Sequence, residues 1–374
     1  LSEIQTSQVQ PIEPVFVDYK KDMSQFEAQP GIDVLYKKNE TNDIFTLIYV
    51  FNTGTENDPA LNLAFNYLSY LGTDKMTAEE IASEMYDIAC SFYMNAGANQ
   101  SSIQITGLSE NMGKAMEIVE GLIAGAKPDE AILENCKADM LKSRADAKLN
   151  QSRCFGALQR YLFYGGDFIR RTTLTDPALQ ALTSEQLLAK IGGLMGKQHE
   201  VLYYGPQKEA EVKSALAEHH KVAADLQPLE KKFSTLLPTD ANKVVLAQYD
   251  AKQLYYLQFS NRGEKFDVAA DPEITLYNEY FGGGMNTIVF QEMREARGLA
   301  YTAWATLATP SNANGDYSYY AFIATQNDKM QKAVEAFDDI INNMPESEKA
   351  FGIAKEALVS RLRTERTVKD GVLW

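Results

Sequence analysis

"FGGGMNTIVFQEMREARGLAYTA", residues 281–303, is the stretch from which the rest of the chain can be read. Three glycines break whatever precedes them. Met285, Ile288, Val289 and Met293 then recur at helical spacing, which predicts a helix over 285–297. Gly298 stands where such a helix stops, and "LAYTAWATLA" beyond it has the composition of a strand. Arg294 falls in the last helical turn, where the helix dipole favours a cation, and Tyr301 follows seven residues later. A chain reversal at Gly298 would bring both side chains to one side of a sheet edge. A guanidinium and a phenol so placed donate hydrogen bonds to a carbonyl oxygen without themselves cleaving a bond. Spacing alone favours a surface arginine beside a half-buried strand tyrosine. The glycine run is no phosphate loop, because it follows helical sequence and lacks the GxxxxGK[ST] order.

Outward from this segment, the chain reads as one unit used twice. Upstream, "GIDVLYKKNETNDIFTLIYVFNTG" predicts a β-hairpin, with Phe45, Leu47, Tyr49 and Phe51 on one face of its second strand. Asp58-Pro59 opens a helix, "TAEE" at Thr77 is a capping-box pattern, "SFYMNAGANQSSIQITGL" is a strand pair, and an amphipathic helix follows. Downstream, "VVLAQYDAKQLYYLQFSNRG" predicts paired strands, Asp271-Pro272 opens a helix, and residues 299–325 form a hairpin about "TPSNANGD". Asp58-Pro59 and Asp271-Pro272, Glu84-Met85 and Glu292-Met293, Lys114-Ala115 and Lys332-Ala333, and Gly156-x-Leu158 and Gly371-x-Leu373 keep their order, 208 to 218 residues apart. Chance similarity of two α/β domains is the alternative to duplication. The expected division is a tail over 1–20, a first α/β domain over 21–225, a connector over 226–243 and a second homologous domain over 244–374. That second copy is expected to be cut short at its C-terminus, since it ends just past Gly371 where the first copy runs on to "HEVLYYGP".

The 374 residues are 45% hydrophobic, enough for a sizeable core, and the formal net charge of −15 argues against nucleic acid or anionic membrane as partners. No apolar run approaches the ~20 residues that span a bilayer. The opening "LSEIQTSQVQPIEPVFVDYKKD" lacks the order of a signal peptide, and its Leu1 start suggests a processed or excised product. Cys90, Cys136 and Cys154 form neither a disulfide framework nor a metal knuckle. His199, His219 and His220 offer no pair at i, i+4 and are expected to be solvated surface residues, so neither a metal site nor a histidine-activated nucleophile is supported.

The segment 281–303 resembles the signature of the second half of the insulinase/pitrilysin family of zinc metallopeptidases, which includes the mitochondrial processing peptidases. The Gly-Gly-Gly-Met, Phe-Gln-Glu, Arg-Glu and Arg-Gly-Leu-Ala-Tyr elements match over some twenty consecutive residues, and the duplicated organisation extends the likeness over most of 30–374. The resemblance implies an α+β fold: two homologous α/β domains, each a mixed, largely antiparallel sheet covered by helices, together forming half of a clamshell. One half of such a peptidase holds zinc through an inverted HxxEH motif and a downstream glutamate. The other supplies an arginine and a tyrosine seven residues apart, positions that Arg294 and Tyr301 occupy here. By that resemblance both hold the substrate backbone, and the tyrosine helps stabilise the oxyanion formed when water attacks the peptide carbonyl.

The departures are as informative. Leu63, Asn66 and Tyr67 fall where the two histidines and the glutamate of the zinc motif would stand, and the downstream glutamate falls near Lys142–Arg144. The first copy has Tyr86 and Tyr93 in place of the arginine–tyrosine pair. The chain is therefore expected to bind no zinc, to be inactive alone, and to complete a site on an HxxEH half, either in the same polypeptide or as a separate subunit, acting on a peptide. Two rivals stand beside this: a structural or assembly subunit of the same fold, and a peptide-binding module using a sheet edge. The location inclines to a bacterial periplasm or envelope.

Overall fold

The computed structural model describes residues 12–229 and 233–374. Most of the tail expected over 1–20, and the middle of the connector expected over 226–243, lie outside the described residues. The chain divides into two compact units. One comprises Phe16–Ala147, Asp167–Ser234 and Thr367–Trp374, and the other residues 12–15, Lys148–Gly166 and Thr235–Arg366.

The first unit holds strands β1 (Ser24–Gln29), β2 (Ile32–Lys38), β3 (Ile44–Phe51), β4 (Cys90–Ala96), β5 (Ser101–Leu108) and β6 (His199–Gly205). Its helices are α1 (Leu61–Leu68), α2 (Ala78–Asp87), α3 (Met112–Gly125), α4 (Glu130–Lys148), α6 (Asp176–Ala181), α7 (Ser184–Met195) and α8 (Glu209–His219). Between α4 and α6 runs α5 (Gln151–Thr172), which breaks at Gly165 (φ 79°), where the chain passes from one unit to the other. The strands order β1-β2-β6-β3-β5-β4, and every pair is antiparallel except β2–β6.

The expected hairpin of β2 with β3 does not form. β6, arriving more than 140 residues later, lies between them, parallel to β2 and antiparallel to β3. Alternating apolar residues specify which face a strand buries, not which strand lies beside it. The expected buried face of β3 is there: Phe45, Leu47, Tyr49 and Phe51 are sealed under helices in the main core. Its other face is covered as well. Ile48 and Val50 pack with Leu202 against Val372 and Leu373, carried by the last helical turn of the chain, Lys369–Leu373.

The second unit has a three-stranded antiparallel sheet, β7 (Gln253–Ser260), β9 (Ser318–Gln326) and β8 (Thr302–Ala308), in that order. Its helices are α9 (Asp271–Phe281), a single turn α10 (Ile288–Phe290), α11 (Met330–Asn342) and α12 (Glu348–Thr364). One sheet face closes on Phe281, Val289, Met293, Phe337 and Ile340. The other is aromatic: Tyr255, Trp304 and Phe322 gather about Phe155, and Phe259 and Tyr320 about Phe163, both phenylalanines being on the first part of α5. The order β3-α1-α2-β4-β5-α3-α4 is repeated as β7-α9-α10-β8-β9-α11-α12. The strand pair expected from "VVLAQYDAKQLYYLQFSNRG" is reduced to β7 alone, because residues 240–250 form no strand.

Candidate functional site

After α9 the chain turns through Gly282–Gly284. Gly282 is obligatory, since a Cβ there would lie 2.0 Å from the carbonyl oxygen of Ala305, whose N–H donates to the Gly282 carbonyl. Thr287 then opens a helix that begins three residues later than the sequence predicts. After one turn, α10, it widens into a π-turn over Gln291–Ala296. The widening is visible in its bonds: Arg297 N–H reaches the Glu292 carbonyl, and Leu299 and Ala300 N–H both reach Met293. Gly298, at φ +58°, reverses the chain, and Tyr301 N–H is taken by the Ala324 carbonyl of β9. Insertions of this kind re-aim the side chains that follow and are frequent at functional sites.

Here the π-turn sends Met293 into the core and Arg294 outward. The guanidinium carbon of Arg294 stands 5.4 Å from the ring centroid of Tyr301 and 5.0 Å from that of Phe290. The two residues singled out in the sequence are thus stacked together, on a turn where Tyr301 keeps 68% of its surface exposed. Phe290 was not singled out from the sequence, although a residue four before Arg294 on a helix shares its face. The neighbouring Arg297 does a different job: it lies 3.4 Å from Glu292 and 3.7 Å from Asp339. Arg294 has only Glu295, at 3.6 Å, within ion-pair distance among the described residues. A guanidinium over aromatic rings still has N–H groups to donate, and the exposed phenol supplies a second donor. A cleft of about 540 Å³ opens at the preceding glycine turn, bounded by Asn278, Gly283, Gly284, Asn286 and the Arg361–Glu279 ion pair.

The positions that correspond to a zinc motif are built as core. Leu63 and Tyr67 are fully buried, and Asn66 is exposed. The Tyr67 hydroxyl donates to Ser184 Oγ (2.8 Å) and accepts from the Asp129 N–H (2.7 Å), so it ties α1 to α4 and α7. Arg144 is bonded to Asp176 and to the Leu174 carbonyl. Among the described residues no group of three or more His, Cys, Asp or Glu is placed to hold a metal ion. Tyr86 and Tyr93 are both strongly exposed, on α2 and on the edge strand β4.

The histidines, expected to be solvated surface residues, are instead largely enclosed. His199 and His220 are buried, and their Nε2 atoms lie 2.9 Å apart. His199 Nδ1 meets the Lys197 carbonyl at 2.8 Å, so it carries the proton and its Nε2 must accept from His220. His220 Nδ1 in turn lies 2.7 Å from Glu120, which also accepts from the Tyr49 hydroxyl and the Lys221 N–H. Burial, only partly offset by the Lys197 carbonyl, lowers His199 to a pKa of about 4. His219 is paired with Glu117 at 3.2 Å. Residues 21 apart in sequence gave no spacing signal, because the sheet and α8 bring them together.

Residues 198–358 match the family described as the peptidase M16 inactive domain. An uncharacterized zinc protease of Rickettsia bellii is 23% identical over 312 residues, covering 80% of this chain and 70% of its own. The structure of the peptidase M16 inactive domain from Pseudomonas fluorescens superposes with a TM-score of 0.71 at 18% identity, over 90% of this chain and 83% of that one. The periplasmic protease PqqL from Escherichia coli gives 0.71 at 13% identity, over 96% of this chain but 41% of PqqL. These likenesses support an insulinase-type, M16 peptidase relationship for the chain. They match it to the inactive second half of such peptidases, and its mixed α/β fold is that of the M16 inactive domain it superposes on.

Proposed function

We propose that this chain is the zinc-free half of a metalloendopeptidase and that Arg294 and Tyr301 act on a peptide whose scissile bond is presented by an HxxEH half. The observation that carries this is the stack of Arg294 on Tyr301 and Phe290 at an exposed π-turn. A scaffold has no use for a solvent-facing cation held over rings, whereas a peptide carbonyl does. Zinc in the other half supplies the Lewis-acid activation of water. Arg294 binds and orients the substrate backbone, and the Tyr301 hydroxyl donates to the carbonyl oxygen as negative charge develops on it. The family likeness and the zinc-protease relative support pairing with a catalytic half.

The test mixes this chain with its HxxEH half, or uses the polypeptide that contains both, and follows a quenched peptide. Cleavage is expected to need both halves. Arg294→Ala and Tyr301→Phe should each lower kcat/KM by about 100-fold or more, the usual cost of removing one such donor. Full activity in both variants would leave the chain a structural subunit.

A further inference from the structure

The stack of Arg294 on Tyr301 hangs on a turn that is itself rare. A π-turn stands only where its surroundings select it over the α-helix. Beyond Gly298 the chain is fixed by groups that follow from β9. The Thr325 hydroxyl donates to the Leu299 carbonyl (2.5 Å), and Lys329 Nζ donates to the Gly298 carbonyl (3.2 Å). Within the turn Met293 is sealed in the core, while Arg294, Glu295, Ala296 and Arg297 face solvent. The solvent side is held by Arg297.

Arg297 closes the wide turn twice against the same partner. Its N–H donates to the Glu292 carbonyl at 3.2 Å, a bond between residues five apart, and its Nε lies 3.4 Å from the Glu292 carboxylate. The other arm of the guanidinium lies 3.7 Å from Asp339 Oδ2. Asp339 is itself fixed. It stands on α11 with the buried Phe337 and Ile340, and its Oδ1 accepts from Asn343 at 3.0 Å. Among the described residues this is the only ion pair from the π-turn to another element.

We infer that Arg297 is a positioning residue for Arg294 and Tyr301. Bridging Glu292 and Asp339, it fixes the π-turn and with it the direction in which Arg294 leaves the helix. Without the bridge the turn relaxes toward α-geometry. That moves the helix exit by one residue, about 100°, and carries Arg294 off the Tyr301 ring. The effect on cleavage rests on the roles given above to Arg294 and Tyr301; the effect on the stack does not depend on them.

Two measurements test it. In the assembled enzyme, Arg297→Ala should lower kcat/KM about tenfold, a misplaced donor being the cause. Asp339→Asn leaves Arg297 in place, cuts its tie to α11, and should lower kcat/KM about threefold. Each should shift the melting temperature by about 2–4 °C at most, the effect of a surface ion pair. In an Arg294→Ala background, Arg297→Ala should cost nothing further, because it acts through Arg294. Losses that simply multiply would make Arg297 a structural residue and overturn the inference, as would full activity in Arg297→Ala. The second measurement needs no catalysis. In the full chain labelled with isotopic arginine, the Arg294 side-chain protons, identified by their absence from Arg294→Lys, should lie upfield, over the rings of Tyr301 and Phe290. Arg297→Ala should return them to ordinary positions, and protons that stay put overturn the inference whatever the activity shows. Full activity in Arg294→Ala would refute the role given to that residue, and the proton shift alone would then decide.

Discussion

Gly298 sits at φ +58° with open space where a Cβ would go, so its substitution tests backbone conformation and nothing else. Gly298→Ala is expected to cost about 1–2 kcal/mol of stability in the second unit, the penalty for a side chain in the left-handed region. Thermal denaturation would show it. Gly282 is the opposite case, with a φ that any residue adopts and a carbonyl in the way. Gly282→Ala should cost roughly 3 kcal/mol or more, since two backbone segments must part. If the two variants were equally stable, the turn would not be held as described. Phe290→Ala is expected to leave the melting temperature nearly unchanged while lowering the activity of the assembled enzyme, because what it removes is the second ring under Arg294.

Among the elements, β6 does most to join the first unit, and it brings the buried histidine chain with it. His199 is depressed in the fold, to about 4 from an ordinary 6.5. Its contribution is therefore complete above pH 6.5 and is lost as pH falls toward 4, where the unfolded chain takes up a proton that the folded one refuses. The loss is of order 3 kcal/mol. Denaturant titrations of the first unit between pH 7 and 4 should show it, and His199→Asn should flatten that slope. A flat profile in the unaltered protein would mean that His199 is not held neutral. Much at this scale was legible in the sequence. The hairpins β4–β5 and β8–β9, the capping box at Thr77 and the helix opened by Asp271-Pro272 all depend on neighbours within a few residues. The insertion of β6 between β2 and β3 and the His199–His220 contact depend on pairings between distant segments, which no local pattern encodes. At the candidate site, Arg294 and Tyr301 are singled out by family likeness, since spacing alone points to a surface arginine and a strand tyrosine. The π-turn that aims them could not be read, because its wider hydrogen bonds leave the apolar periodicity of 285–293 almost unaltered.

On the scale of the whole molecule, the chain leaves the first unit and returns to it twice, and its last residues finish there. Val372 and Leu373 cap Ile48, Val50 and Leu202 on the sheet face away from the main core. Val372→Asp with Leu373→Asp should destabilise the first unit by about 2–4 kcal/mol, the apolar burial given up, and calorimetry would register it. An unchanged melting curve would show that the turn at 369–373 merely rests there. Anchorage at both ends has a topological outcome for the second unit. A single proteolytic nick anywhere within 235–366 would leave two fragments, each still rooted in the same folded body, so the cleaved protein would travel as one species on a sizing column and come apart only in detergent.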